Sequence, residues 1–200
     1  DEIFSQEIKD SIIIDSYNEF KQELLVGEYL DTIKIDDLNK IMELKTARYS
    51  FTKPALIAVG LTKVEYKVTK KWEEILREVG LLFQIKDDLD GTFSNEKVIG
   101  KPIDSDIKEG KNTLIIKIFS EKSSIEEKKR FNSFFGKSNL DKKELIWYKK
   151  ILVKYEIDKQ IKNEIINRSV EIEKKLDLFF PNKILSELIK EILVYFQSWV

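Results

Sequence analysis

The amino-acid sequence predicts an all-α protein, and three observations lead there. Apolar residues recur at three- and four-residue steps through the long segments, turn-forming residues are scarce, and strand-type alternation between turns is hard to find. In "EEILREVGLLFQI" the apolar positions Ile75, Leu76, Val79, Leu82 and Phe83 follow the helical period. The same period runs through "ELIWYKKILVKY", through "IKNEIINRSVEIEKKLDLFF" and, after Pro181, through "KILSELIKEILVYFQSW". The isoleucine-rich "LIIKIF" fits helix or strand by period alone and is read as helix because its neighbours are. Only 7 glycines and 3 prolines punctuate 200 residues, which suits long helices with short connections. The longest polar, turn-rich gap runs from Gly91 to about Gly110, and no internal repeat or low-complexity linker divides the chain. A chain of 200 residues is long enough for one buried core and too short for two ordinary ones, so one all-α domain over residues 1–200 is the expectation.

Composition narrows the chemistry. Lys and Arg number 35 against 36 Asp and Glu, a balance that suits heavily charged helical faces and argues against a nucleic-acid partner. With no cysteine and no histidine, the chain cannot form disulfides, thiolate nucleophiles, Cys/His zinc sites or a Ser-His-Asp arrangement. Any reaction must use carboxylates, lysines, arginines, hydroxyls, amides or a borrowed cation. No signal peptide is visible at "DEIFSQEIKD", and no apolar run approaches the ~20 residues that span a bilayer, so a cytoplasmic location is expected. The chain opens without methionine and in mid-pattern, which reads as a piece of a longer protein.

Three stretches carry the chemistry. In "FQIKDDLDG", Gln84, Asp87 and Asp88 stand at i, i+3 and i+4, so a helix projects them from one face. Neighbouring carboxylates repel, and Mg²⁺, which takes one or two protein carboxylates plus phosphate oxygens and water, would remove the conflict. A hydrated acidic turn is the plain alternative. In "IGKPIDSDIKEGKNTL", Lys101 and Lys111 flank Asp106, and alternating charge beside a cation site suits a clamped phosphate substrate, although exposed lysines are common on any surface. Upstream, in "MELKTARYSFTKPALIAVGL", Lys45 and Thr46 precede a helix of small apolar residues interrupted by Pro54, where a backbone hydrogen bond must be lost.

Taken together and in this order, "GEYLD" (Gly27 to Asp31), "KTARYSF", "GLLFQIKDD" and "GKPIDSDIKEGKNTL" resemble the C-terminal two-thirds of a trans-isoprenyl diphosphate synthase. From about Ser120 onward the likeness is only that of generic helices. The resemblance implies a helical bundle of the isoprenoid synthase type. It also implies an Mg²⁺-dependent condensation of an allylic prenyl diphosphate with isopentenyl diphosphate, by ionisation, attack and proton loss. On that basis Asp87 and Asp88 bind metal, and Lys45, Thr46, Gln84, Lys101 and Lys111 contact the diphosphate, with Lys45, Asp87 and Lys101 carrying catalysis. Family members pair as homodimers, and the resemblance extends that expectation here. Two departures stand out. The family's third aspartate falls at Gly91, leaving the role of Asp90 undefined, and Glu28 replaces a glutamine, bringing a charge that could sit near a metal. Nothing before Asp31 resembles the family's first aspartate-rich motif, the arginine pair after it, or the basic residues that hold isopentenyl diphosphate. The isolated 200 residues are therefore expected to bind diphosphate poorly and turn over little. The surviving lysines and aspartates favour a shortened prenyltransferase over two alternatives, a non-catalytic partner chain and a terpene cyclase.

Overall fold

The computed structural model describes residues 11–33, 37–60, 66–93, 105–181 and 183–198. Every regular element among them is helical, as the periodicity predicts. In chain order they are α1 (Ser11–Thr32), α2 (Leu38–Met42), a π-helical segment (Glu43–Thr52), α3 (Lys53–Gly60) and α4 (Tyr66–Phe93). Then follow α5 (Ser105–Glu109), α6 (Leu114–Lys122), α7 (Ile125–Asn132), α8 (Lys142–Lys154), α9 (Ile157–Phe179) and α10 (Ile184–Gln197). "LIIKIF" falls inside α6, in agreement with the helical reading. The gap predicted from Gly91 is shorter than its composition suggests, because α4 continues to Phe93 and Ser105–Glu109 is helical.

The helices gather into two compact units. The first comprises residues up to Gln84 together with Arg168–Tyr195, and the second Ile85–Asn167 together with the C-terminal end. In the first unit α1 packs on the π-helical segment and on α3. Its core includes Ala47, Ile75, Val79, Leu82, Leu176 and Leu193, all essentially inaccessible to solvent. Trp72 stacks on Phe180 with ring centroids 4.0 Å apart, fastening α4 to the end of α9. In the second unit Phe119, Phe131, Phe134 and Tyr148 form an aromatic core that joins α6, α7 and α8. The Tyr148 hydroxyl is buried there without a hydrogen-bond partner.

Local sequence explains where these helices start. Asp37, Thr113, Ser124 and Asp141 each cap a helix N-terminus through the side chain, and Ser124 with Glu127 completes a reciprocal capping box. Pro54 disturbs its helix through a change of winding. The chain is π-helical up to Thr52, the Lys53 N–H donates to the Arg48 carbonyl, and α-helix resumes at Lys53. Pro54 follows directly, at the second position of α3, and offers no N–H to the carbonyls one turn back. Ten residues of π-helix is long for a conformation that usually occurs as a single-turn bulge at functional positions.

Candidate functional site

In the first unit, the π-helical segment presents the neighbouring Lys45 and Thr46 each to a different helix. Lys45 Nζ donates to Asp31 Oδ2 at 2.6 Å and lies 3.1 Å from Glu28 Oε2, both on α1. Thr46 Oγ1 donates to Gln84 Oε1 at 2.5 Å, on α4. Two glycines let the helices come this close. A Cβ at Gly27 would lie 2.7 Å from the Lys45 backbone nitrogen, and one at Gly80 would lie 2.5 Å from the Ala47 Cα. Both distances are shorter than any real Cβ contact, so α1 and α4 press on the segment at points only a glycine allows. Partial burial works against the charge on Lys45, but the hydrogen bonds it donates to Asp31 and Glu28 outweigh it and hold its pKa above the usual lysine range.

Ion pairs hold the rest of the segment. The Arg48 guanidinium takes Glu23 with both arms, at 2.9 and 2.7 Å. The buried Lys53 reaches Glu19 at 2.8 Å and Glu23 at 3.6 Å. An open apolar groove of about 480 Å³ is lined by Phe51 of the segment, Leu76 and Val79 of α4, and Leu188, Ile189 and Ile192 of α10.

In the second unit α4 carries Asp88 buried and Asp87 partly exposed. Asp90 forms an ion pair with the buried Lys86 one turn back, which gives it a structural partner. Beyond α4, Gly110 at φ 65° ends α5 and turns the chain back, so the Lys111 N–H donates to the Asp106 carbonyl at 2.9 Å. The same turn brings Lys111 Nζ to Asp106 Oδ1 at 2.8 Å and to Glu109 Oε2 at 3.1 Å. Burial opposes the charge on Lys111, yet Asp106 and Glu109 raise its pKa well above the ordinary value. Gly91 matters here too. A Cβ on it would stand 3.2 Å from Asp106 Oδ2, so the position of the family's third aspartate is crowded by Asp106.

The structure therefore pairs Thr46 with Gln84 and sets Lys45 beside them on the π-helical segment. It places Asp87 and Asp88 on α4 within the next turn after Gln84, and Lys111 in the turn after α5. Lys101 lies outside the described residues. Sequence reading missed Asp31 as the partner of Lys45, and it missed both packing glycines. The "GEYLD" stretch was the available signal for Asp31, but nothing in local spacing links it to a lysine 14 residues on. Among the described residues no three acidic side chains cluster closely enough to hold a metal ion unaided.

Comparison with known proteins places the fold. The fold matches that of a geranylgeranyl pyrophosphate synthase from Corynebacterium glutamicum, solved with isoprenyl diphosphate and magnesium. The TM-score is 0.80 at 18% identity, over 93% of this chain and 55% of that one. The enzyme of the same name from Pyrococcus horikoshii gives 0.78 at 23% identity, over 95% of this chain and 59% of that one. The scaffold is thus that of the prenyl diphosphate synthases. In sequence, residues 3–152 match the polyprenyl synthetase family model, and the chain belongs to that family. The geranylgeranyl diphosphate synthase of Saccharolobus solfataricus is 38% identical over 108 residues, which is 54% of this chain and 32% of the relative. Farnesyl pyrophosphate synthase 1 of Cannabis sativa is 30% identical over 141 residues, 65% of this chain and 41% of the relative. The chain thus spans less than half the length of these curated relatives.

Proposed function

We propose that the chain serves a Mg²⁺-dependent trans-prenyltransferase that condenses an allylic prenyl diphosphate with isopentenyl diphosphate. The observation that carries this reading is the placement of Lys45 and Thr46. Residues of the "KT" motif are fixed between two helices, with Thr46 bonded to the Gln84 of "FQIKDD" across 38 positions of sequence. Such a fixed ammonium and hydroxyl suit the non-bridging oxygens of a diphosphate. Lys45 and Lys111 would stabilise the charge that builds on the departing diphosphate, and Lys101 belongs to the same role by resemblance. Asp87 and Asp88 fit magnesium as a donor set. Two adjacent carboxylates match the ion's preference for a minority of protein ligands, with phosphate oxygens completing the shell. Bound there, the metal would supply further neutralisation of the leaving group. The apolar groove beside Phe51 and Val79 suits the hydrocarbon tail of an allylic substrate. We further propose a cytoplasmic homodimer and one synthase domain across residues 1–200. No described helix is long and apolar enough to cross a membrane.

The test is prenyl transfer by the native full-length protein and its Asp87→Ala variant, with radiolabelled isopentenyl diphosphate and an allylic starter. Turnover by the variant should drop by about 10²–10³-fold. Equal turnover would remove Asp87 from the site.

A further inference from the structure

Lys45 already has two anionic partners before any substrate arrives. Asp31, closer and 18% exposed, is the inner one, and Glu28, at 3.1 Å and 52% exposed, is the outer one. An ammonium has three donors, so two are engaged within the protein. Gly27 forces this arrangement, because α1 can approach the Lys45 backbone only where it lacks a side chain, and Glu28 is the next residue. We infer that Glu28 is an affinity-setting residue, whose carboxylate competes with the substrate diphosphate for the Lys45 ammonium and repels it, so that substrate is held less tightly than a neutral amide at this position would allow. Competition and repulsion act with the same sign. Asp31 stays with Lys45 as the better buried partner, while Glu28 can swing into solvent when phosphate oxygens take its place. The inference rests on the proposed role of Lys45 in diphosphate binding.

The experiment compares wild type, Glu28→Gln, Glu28→Ala and Lys45→Met in the native full-length protein. Inorganic pyrophosphate with excess MgCl₂ is titrated calorimetrically at low and high salt, and KM and kcat are measured for an allylic diphosphate. Glu28→Gln should bind pyrophosphate about two- to fivefold more tightly, as befits a half-exposed pair, and the gain should shrink in high salt. Glu28→Ala should shift in the same direction, separating charge from shape, and KM should fall by more than kcat changes. Unchanged or weaker binding by both Glu28 variants, with Lys45→Met still impaired, overturns the inference while leaving the role of Lys45 intact. Wild type and Lys45→Met binding alike would defeat the reading of Lys45, and the role of Glu28 with it.

Discussion

Lys45 and Lys111 are each gripped by two carboxylates, but the grips are built differently. Lys111 is held by its own neighbourhood, since Asp106 and Glu109 lie five and two residues back and a glycine with positive φ closes the turn. Lys45 is held at long range. Its partners sit on another helix, and it reaches them because Gly27 and Gly80 let α1 and α4 close on the π-helical segment. A locally built grip depends on a few turn residues and tolerates changes elsewhere. A grip assembled from three elements depends on packing, and a methyl group far from the ammonium can undo it.

That contrast predicts a ranking of damage. The largest effect should come from Gly80→Ala. Its Cβ meets the Ala47 Cα at 2.5 Å, which calls for a backbone shift costing about 1–3 kcal/mol. Thermal melting should fall by several degrees, and the Thr46–Gln84 bond should loosen in the variant's crystal structure. A variant that melts like wild type would show that the clasp has slack. Next comes Asp106→Asn, which weakens the local grip. Lys111 is 36% exposed and keeps Glu109, so the loss is about 1 kcal/mol or less in denaturant melts. The Lys111 pKa, followed by NMR titration, should move back toward the ordinary lysine value.

Legibility follows the same division. The helical class and the register of α4 were readable because they depend on spacings of three and four residues: the Ile75, Val79 and Leu82 period and the Gln84–Asp87–Asp88 step. The Lys45–Asp31 bond, the close approaches at Gly27 and Gly80, and the Lys86–Asp90 pair were not readable. The first three depend on which helix lies against which, and a glycine in a helix gives no sign of whether anything is packed on it. The last follows a regular i, i+4 step, but charge spacing alone does not show which of several acids a lysine takes. The π-helical winding was half readable: Pro54 marked a disturbance, while its form depended on the packing of Arg48 and Lys53 against α1.

The smallest expected effect sharpens the comparison from the second unit, at a place remote in sequence from both lysines. Glu127 accepts hydrogen bonds from Lys154, the Ser124 N–H and Tyr155, which lower its pKa to about 2. A depressed carboxylate stabilises the fold above the ordinary value of 4.5 and loses that contribution as pH falls toward 2. The melting-temperature gap between wild type and Glu127→Gln should therefore be largest near neutral pH and close in acid. A gap that stays constant would mean that the capping geometry matters and the charge does not.

Gly91 carries a warning for anyone who would repair this chain by consensus. Writing Asp there would look like restoring a lost ligand. Asp106 already leans into that space, so the newcomer would jostle its carboxylate and set two like charges face to face. The disturbance would pass through Asp106 to Lys111 and loosen the ion pair between them.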